Sequence, residues 1–484
     1  MGRRGWFMTR FRLLPLTLVL CGLALARPGS PPPAMADAAS TSDLSQRIDH
    51  IIVVVEENHT FDSYFGTYPG ANGWSRADSY PRDPTTGTPM KPVPYSESIR
   101  DWVVASAKEG KELLSNARPA AEEAYNGGRM DGFVGAQLRR GNDGQITMVY
   151  YSKEDARGLW SVADRSVLFD NYFSSALGDS LPNMLHLLAG TSNGIEVGTK
   201  KTLAQIADGV PTVFDQLQAA GISWKYYIGG LESLDRERIA GGDYLHSDEP
   251  TPSQMYWAPI LSMKRFWEDP QLNAGLATQD QFFLDAAEGR LPAVSFVLPS
   301  PTDHPLSIPT APQQRLLSLV NAMGKSPQWG RSAMFIVWDE WGGFYDHVPP
   351  PQVDEMGLGF RVPALLVSPW AKRGYISHDQ YDHTSVLNFI AQRFNLPPLS
   401  PREAASNSFE TAFQFDAPPR AAPAFGLASI PDAPVGTPSQ NRLTLMAYLE
   451  IFAVVAAVIG FLVWAPHIAN RKERPDDRQD ARQG

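Results

Sequence analysis

A chain of 484 residues with 43% hydrophobic residues can bury a large core, either as one large α/β domain or as two smaller ones. Its formal net charge of −10 argues against a general nucleic-acid binder, because such a protein needs a basic face to displace counterions from phosphates. The single cysteine, Cys21, lies in an N-terminal apolar segment. The folded part therefore has neither a disulfide framework nor a cysteine nucleophile, and any metal must be held by oxygen and nitrogen ligands.

The beginning of the chain has the pattern of a secretory signal peptide, which we predict over residues 1–36. Basic residues, among them Arg10 and Arg12, precede an apolar run over residues 13–26. Ala34-Met35-Ala36 then has the small-x-small form of a cleavage site. Cleavage after Ala26 and retention as a membrane anchor are the alternatives. Either way, we expect the rest of the chain to be exported.

The first predicted strand covers residues 48–55 and ends on a run of polar side chains, Glu56, Glu57, Asn58 and His59. In a doubly wound sheet, ligands gather beyond the carboxyl ends of parallel strands. Glu57 and Asn58 are therefore candidate ligands. For His59 two interpretations are open, a direct role or a local hydrogen bond at the rim of the site.

A later predicted strand, residues 167–173, leads into a turn that reads Gly178-Asp179-Ser180-Leu181-Pro182-Asn183, and residues 184–189 are predicted to be helical. Pro182 suits the first helical turn. This places the Ser180 hydroxyl at a helix N-terminus, where the macrodipole and free backbone N–H groups favour a phosphoryl group. Ser180 is thus a candidate nucleophile. The alternative is that Ser180 only caps the helix.

The elements that follow alternate between helix and strand, which predicts an α/β fold with a mostly parallel sheet. The predicted strands are residues 224–228, 293–298 and 360–367, and the predicted helices are residues 211–220, 313–323 and 384–394, the last capped by Thr384 or Ser385. Asp303 and His304 follow one of these strands, and Asp382 and His383 precede the last helix.

The strongest local signal is the stretch over residues 332–347. An apolar run over residues 333–338 has the composition of a buried strand, and it ends on Asp339 and Glu340. Carboxylates that emerge from a buried strand need a cation or a set of donors. A Gly-Gly turn then lets Asp346 and His347 approach the same place. We interpret the stretch as one wall of a metal site and expect it to meet Glu57 and Asn58; the alternative is a strand with an ordinary polar exit.

The end of the chain has the pattern of a membrane tether. Residues 416–442 are rich in Pro, Ala and Ser and predict a linker. Residues 443–465 are long and apolar enough for a transmembrane helix, with Glu450 as their only charge. Arg471, Lys472 and Arg474 follow, so we expect residues 466–484 to be a cytoplasmic tail. The domain over residues 45–415 would then be extracytoplasmic on a single-pass membrane protein.

Five segments, taken in order, resemble the phosphoesterase family of bacterial phospholipases C and acid phosphatases. In chain order, the segments are Glu56-Glu57-Asn58-His59-Thr60-Phe61-Asp62, Gly178-Asp179-Ser180-Leu181-Pro182-Asn183, Asp303-His304-Pro305, the stretch from Trp338-Asp339-Glu340-Trp341-Gly342-Gly343 to Pro350, and Tyr381-Asp382-His383-Thr384-Ser385. This family belongs to the alkaline-phosphatase-like superfamily. The resemblance implies a central, mostly parallel sheet between helices.

The resemblance also implies roles for particular residues. Glu57, Asn58, Asp339 and Glu340 would hold a divalent metal ion, and Ser180 would touch the metal and act as the nucleophile. His304 and His347 would bind the phosphoryl group or protonate the leaving alcohol. Asp346 and His383 would contact the substrate, although His383 could instead brace its helix. Oxygen ligands suit Ca²⁺, Mg²⁺ or Mn²⁺, and added histidine would allow Zn²⁺.

One departure from the family concerns a segment resembling Leu-Ser-His-x-x-Pro-x-x-His, where this chain has Asn116 and Glu122 in place of the two histidines. The expected function is metal-dependent hydrolysis of a phospholipid or a phosphomonoester through a Ser180 phosphoenzyme. The missing imidazoles keep an alternative open, a surface protein of the same fold that binds a phosphorylated lipid or wall polymer without turnover. A sulfatase-type hydrolase is a more distant alternative.

Overall fold

The computed structural model describes residues 41–108, 114–207, 209–246, 251–298 and 310–426. These residues form strands β1 (His50–Glu56), β2 (Val93–Pro94), β3 (Val149–Tyr150), β4 (Val167–Phe169), β5 (Tyr172–Phe173), β6 (Trp224–Ile228), β7 (Leu276–Thr278), β8 (Val294–Leu298), β9 (Ser332–Trp338), β10 (Ala364–Val367), β11 (Tyr375–Ser377) and β12 (Tyr381–Asp382).

The helices are α1 (Thr41–Arg47), α2 (Phe61–Phe65), α3 (Glu97–Lys108), α4 (Arg118–Tyr125), α5 (Phe133–Leu138), α6 (Arg157–Ala163), α7 (Ser180–Ala189), α8 (Lys200–Ile206), α9 (Val213–Ala219), α10 (Arg236–Ala240), α11 (Asp243–His246), α12 (Gln254–Trp257), α13 (Arg265–Glu268), α14 (Pro270–Asn273), α15 (Gln279–Ala287), α16 (Thr310–Lys325), α17 (His383–Phe394) and α18 (Pro401–Ala405).

The centre of the fold is an eight-stranded sheet with the order β11-β4-β10-β9-β1-β8-β6-β7. Five neighbouring strands, from β9 to β7, run parallel to one another. Strand β10 runs antiparallel to both β9 and β4, while β4 and β11 pair in parallel. The prediction of a mostly parallel sheet flanked by helices is confirmed, with β10 as the reversed strand.

Strands β1 and β9 bring the polar segments that follow them to the same edge of the sheet. Both are apolar runs whose residues from Ile51 and Ser332 onward are buried. Their parallel register pairs Ile51 with Ala333 and Glu56 with Trp338. Because each buried Val or Ile contributes about 1.5–3 kcal/mol and a slip of one residue would turn these side chains to the opposite face, the apolar pattern fixes this register.

Helices on the faces of the sheet follow the predicted apolar patterns. Helix α16 contains the predicted helix over residues 313–323, and its apolar face, with Leu316, Leu319 and Val320, is buried. It packs against α6 and α15 and leads directly into β9. Helix α17 packs against α7 and α18. Helices α6, α9 and α15 contact strands of the main sheet directly.

Three predicted boundaries are wrong. The predicted strand over residues 167–173 is two short strands, because the chain leaves the main sheet after β4 and β5 pairs with β12 instead. The predicted strand over residues 360–367 begins only at Ala364, after Pro363, which has no N–H for a ladder. Helix α17 is capped by Asp382, not by Thr384 or Ser385; Ser385 completes the capping box from the N3 position.

Several predicted segments lie outside the described residues: the signal peptide (1–36), the transmembrane helix (443–465), the tail (466–484) and His304. Within the described ranges, no helix combines the length and the apolar composition that a bilayer crossing requires. The first part of the predicted linker, residues 416–426, packs on the domain. The backbone N–H of Arg420 donates to the Pro369 carbonyl. The backbone N–H and carbonyl of Phe425 both form hydrogen bonds with the side-chain amide of Asn321.

Candidate active site

Ser180 is the first residue of α7, and its hydroxyl faces the end of β1. The N-cap position belongs to Asp179, which has extended backbone dihedral angles, so the alternative that Ser180 caps this helix is wrong. The Asp179 carboxylate accepts hydrogen bonds from the backbone N–H of Gly198. The Ser180 Oγ donates instead to Glu57 Oε2 over 3.4 Å. The hydroxyl is therefore held at the N-terminus of a ten-residue helix, beside a carboxylate.

Glu57, Asn58, Asp339 and Glu340, here called the strand-end cluster, meet as expected. Asp339 Oδ1 accepts hydrogen bonds from the backbone N–H of Asn58 at 2.9 Å and of Glu340 at 2.7 Å. Glu57 Oε2 accepts one from Asn58 Nδ2 at 2.9 Å. Glu340 Oε2 accepts one from the backbone N–H of Gly342 at 2.8 Å. Residues from two parallel strands thus share one network.

The backbone of Asn58 lies so close to position 342 that only glycine fits there. Asn58 has φ +59°, the left-handed region that asparagine tolerates better than most residues. Gly342 has φ +63°, and a Cβ at this position would lie 2.1 Å from the Asn58 carbonyl oxygen. Only glycine allows the two backbones to approach this closely. The turn after β9 therefore packs directly against the polar segment after β1.

Asn116 reaches the strand-end cluster from the loop before α4. Its Nδ2 donates to Asn58 Oδ1 at 3.1 Å and to Glu340 Oε1 at 2.8 Å. Its own backbone is held, because the Asn116 carbonyl accepts a hydrogen bond from Trp341 Nε1 and the preceding Ser115 forms two with the Gln137 amide. Asn116 thus joins two of the predicted ligands.

The carboxyl groups of the cluster are buried and crowded, which disfavours their charged forms. Burial raises the pKa of Asp339 to about 6, although the Asn58 N–H and the Ser180 hydroxyl act in the opposite direction. Burial and the charges of Asp339 and Glu340 raise the pKa of Glu57 well above its usual value. Burial and the charge of Asp339 do the same to the pKa of Glu340.

A divalent cation fits this group of residues. Within the described ranges, neither Asp339 nor Glu340 forms an ion pair with Lys or Arg, and the buried Asp339 Oδ2 has no hydrogen-bond partner. A buried carboxylate without a counter-charge is costly, and a metal ion removes that cost. Carboxylate, amide and hydroxyl oxygens are ligands that Ca²⁺, Mg²⁺ and Mn²⁺ accept.

Asp62, Asp346, His347 and Arg361 form a second buried cluster, here called the Arg361 network. Ligand atoms of its two carboxylates and its imidazole lie within 4.8 Å of one another, a spacing that could hold a metal. The buried Arg361 guanidinium, however, already contacts Asp62 Oδ1 at 3.0 Å and Asp346 Oδ2 at 3.2 Å. A second cation would meet this fixed positive charge, so the network is better explained as an internal ion pair.

His347 belongs to this network through Asp62. Its Nδ1 lies 2.6 Å from Asp62 Oδ2, which also accepts the backbone N–H of His347. With Nδ1 held in this way, Nε2 is left for another partner. Asp346, predicted to contact substrate, has both oxygens in hydrogen bonds, to Val348 N–H on one side and to Asp62 N–H and Arg361 on the other. Burial raises the pKa of Asp346 to about 6, with Arg361 opposing.

His383 and His59 are both buried. His383 Nε2 lies 2.8 Å from the Asp339 carbonyl oxygen and Nδ1 lies 3.0 Å from the Tyr172 hydroxyl; burial lowers its pKa to about 4. The neutral ring therefore donates from Nε2 to the backbone of a predicted ligand. His59 stacks on Phe344 with ring centroids 4.5 Å apart, and its Nε2 lies 3.4 Å from the Tyr151 hydroxyl. This geometry favours the interpretation of His59 as a residue with local contacts.

The sequence analysis missed the contributions of three residues of the site. Asn116 donates hydrogen bonds to the cluster, Asp62 holds His347, and Arg361 joins Asp62 and Asp346. Asp62 had a signal, because it lies within the polar segment after β1. The only sequence signal for Arg361 is that it is a charged residue between apolar neighbours. Glu122, at the second position where the family has histidine, is exposed and pairs with Arg118 over 2.8 Å, away from the cluster contacts described above.

Comparisons with known proteins find bacterial phospholipases C among the relatives of this chain. Phospholipase C B of Mycobacterium tuberculosis is 28% identical over 425 residues, which cover 77% of this chain and 78% of the relative. The non-hemolytic phospholipase C of Pseudomonas aeruginosa is 27% identical over 426 residues, and the match covers 77% of this chain but 58% of that longer protein. A solved structure of an alkaline phosphatase superfamily protein from Vibrio parahaemolyticus is similar over 51% of this chain and 62% of its own, with 11% identity and a TM-score of 0.31.

The family model for the Phosphoesterase family matches residues 48–397, which span the sheet, Ser180 and the strand-end cluster. This chain belongs to the Phosphoesterase family.

Proposed function

We propose that this chain hydrolyses phosphoesters through a phosphorylated Ser180, with a divalent metal held by Glu57, Asn58, Asp339 and Glu340. The observation that carries the proposal is the 3.4 Å contact between Ser180 Oγ and Glu57 Oε2, which puts a helix-terminal hydroxyl against the strand-end cluster. Membership of the Phosphoesterase family supports the reaction class. The metal, when bound, polarises the phosphoryl oxygens and lowers the pKa of the hydroxyl.

In this reaction the side chains of the site have separate roles. The Ser180 hydroxyl passes its proton to Glu57 Oε2, the acceptor of its hydrogen bond, and Oγ attacks phosphorus in line with the leaving alcohol. The backbone N–H groups at the start of α7 stabilise the phosphoryl oxygens. His347, oriented by Asp62, protonates the leaving oxygen from Nε2. Water then attacks the same phosphorus and frees the serine, releasing the phosphorylated headgroup of a phospholipid or the free phosphate of a phosphomonoester. His304 keeps its predicted role with the phosphoryl or leaving group, and His383 positions the Asp339 backbone.

The substrate that we propose first is the phosphodiester of a phospholipid headgroup, because the relatives described above are named phospholipases C. A phosphomonoester, as for an acid phosphatase, is the other phosphoester of the proposal. We also propose placement of the domain outside the cell membrane, exported by residues 1–36 and tethered by residues 443–465, within the alkaline-phosphatase-like superfamily. The sequence patterns described above support this topology.

A second candidate is binding of a phosphorylated lipid or wall polymer without turnover. The observation that favours it is the absence of the two expected imidazoles: an amide, Asn116, contacts the cluster, and Glu122 lies on the surface with Arg118. Fewer proton donors would leave the leaving group without assistance. The two candidates differ in whether Ser180 is needed for product formation.

The test uses the purified full chain with p-nitrophenyl phosphate and with phosphatidylcholine, after treatment with a chelator and after addition of Mg²⁺, Ca²⁺, Mn²⁺ or Zn²⁺. We expect turnover that depends on metal and falls roughly 10³-fold or more in Ser180→Ala, whereas Ser161→Ala, which changes a serine on α6, keeps full activity. A chain that binds metal and cleaves neither substrate would contradict the proposal. Unchanged substrate binding in such a chain would support the second candidate.

A further inference from the structure

A cavity of about 560 Å³ lies far from Ser180, and three arginines contribute to its largely apolar wall. Its wall includes Arg165, Arg373 and Arg420 together with Trp329, and we call it the basic cavity. The position follows from the reversed strand β10, whose end leads to Ser368; the Ser368 Oγ donates to the Ser332 carbonyl at the start of β9. The strand-end cluster follows the other end of β9, roughly 20 Å away at about 3.3 Å per residue.

Two arginines of the basic cavity donate to backbone carbonyls. Arg165 donates to the Ala424 carbonyl and lies over the Phe425 ring. Arg420 donates to the carbonyls of Ser368 and Ala371. In the described part of the chain, none of the three lining arginines forms an ion pair with Asp or Glu. In a chain of net charge −10, such a concentration of unneutralised cations is unexpected.

The positive charge of this edge is reinforced by its surroundings. Burial and the charge of Arg373 both lower the pKa of Arg420, so the two guanidinium groups repel each other. A fourth arginine, Arg47 of α1, lies over the Trp370 ring with 4.9 Å between the guanidinium carbon and the ring centroid. Trp370 follows Ser368 and Pro369 in the chain, and Arg420 donates hydrogen bonds to the backbone carbonyls of both. An anion bound among these groups would relieve the repulsion.

We propose that the basic cavity binds the phosphate group of an anionic ligand through Arg165, Arg373 and Arg420. Guanidinium groups match phosphate oxygens with paired N–H donors, and three of them offer more donors than the two oxygens of a carboxylate can accept. Trp329 and Pro423 give the wall an apolar part, which fits a phosphate that carries a hydrocarbon group. The source is a lipid headgroup or free phosphate.

The predicted membrane tether would bring this site near a membrane. Both described ends of the domain lie at the same edge. Helix α1 contributes Arg47 over the Trp370 ring, and Arg420, Ala421, Pro423 and Ala424 line the basic cavity. The predicted transmembrane helix, residues 443–465, follows that lining segment along the chain. An anionic headgroup at this edge would orient the domain with the strand-end cluster on the opposite edge. The site is separate from Ser180 and goes beyond the proposed phosphoesterase activity.

The test uses the full chain carrying Ser180→Ala, in detergent, so that binding is measured without turnover. Isothermal titration calorimetry with inorganic phosphate, short-chain phosphatidylglycerol and short-chain phosphatidylcholine identifies the ligand. The variant Arg373→Glu reverses the charge of an exposed side chain, and Arg236→Glu on α10 is the matched control. We expect saturable binding of a phosphate-bearing anion that Arg373→Glu weakens at least about tenfold and Arg236→Glu leaves unchanged.

The outcomes separate the sources. Binding of phosphatidylglycerol without competition by inorganic phosphate supports a lipid headgroup, and binding of inorganic phosphate supports a soluble source. Absence of saturable binding of either anion, or equal binding by the parent and Arg373→Glu, overturns the proposal. Because the assay measures binding in a Ser180→Ala background, an inactive wild-type chain would contradict the proposed function and leave this result unaffected.

Discussion

Asn116 Nδ2 donates a hydrogen bond to Glu340 Oε1 across 2.8 Å, and the same nitrogen reaches Asn58 Oδ1 at 3.1 Å. One amide therefore fixes the separation of two predicted metal ligands that come from different strands. Partners of this kind orient ligands before the metal arrives. The segment that departs from its family by sequence thus still serves the same site.

Replacement of Asn116 by alanine should weaken metal binding without unfolding the chain. Loss of the donor frees Glu340 and Asn58, and changes of this kind cost about 10- to 100-fold in metal affinity. The measurement is calorimetry of Mn²⁺ binding. Asn388→Ala, which removes an amide that donates to the Ser406 carbonyl on the far side of α17, should bind Mn²⁺ normally. Equal affinities for the wild type and Asn116→Ala would exclude this role.

Replacement of His347 by alanine should slow substrates according to their leaving group. If Nε2 protonates the leaving oxygen, the loss is about 10²-fold for an alkyl phosphoester. It should be much smaller for a p-nitrophenyl ester, whose leaving group needs little protonation. Comparison of kcat for the two esters checks this expectation. An equal loss on both would indicate that His347 serves only the Arg361 network.

Metal removal should destabilise the chain more at high pH than at low pH. Without metal, burial raises the pKa of Asp339 to about 6 and raises those of Glu57 and Glu340, so the fold binds more protons than the unfolded chain. Its stability then falls as pH rises from the usual carboxyl values through about 6. A chelator should lower Tm by about 5 °C at pH 8 and by less at pH 5. Thermal scans that show the same shift at both pH values would contradict this.

Glu403 provides a second pH effect, away from the active site. This glutamate is fully buried in α18, its Oε2 accepts the Leu399 N–H, and burial raises its pKa from 4.5 to about 7. Its contribution to stability is therefore present below about pH 4.5 and is lost as pH rises through 7. In Glu403→Gln the urea midpoint should fall less between pH 5 and pH 8 than in the wild type. The exposed Glu268→Gln is the control, and an unchanged slope in Glu403→Gln would refute the assignment.

The strand-end cluster could be predicted because its determinants are local. Two apolar runs, β1 and β9, each end abruptly on carboxylates, and parallel strands bring their carboxyl ends to one edge. The Ser180 turn could be predicted as well, since Pro182 marks the first helical turn. The N-cap of α17 was predicted wrongly as Thr384 or Ser385, because the helix begins earlier, at His383, and Asp382 caps it.

Asp346 and His347 were predicted to lie close together, but the role of Arg361 in joining them to Asp62 could not be predicted, because this pairing follows no sequence period. Arg361 lies between Phe360 and Val362 in a stretch that resembles a strand, yet its guanidinium pairs with Asp62 across 299 positions of sequence. The Asn116 contacts arise in the same way, from a loop whose path is set by Gln137 and Trp341. Long-range polar pairing of this kind depends on the finished packing.

The left-handed backbone of Asn58 limits what mutation can reach at that position. Among the residues that a single base change can make from an asparagine codon, only aspartate keeps both a side-chain oxygen and ready access to φ +59°. Aspartate, however, adds a further negative charge beside Glu57, Asp339 and Glu340, and the other single-base products lose the oxygen, the conformation or both. Few single-base substitutions at position 58 are therefore compatible with this structure. Position 342 is restricted in turn, because any side chain there would collide with the Asn58 backbone.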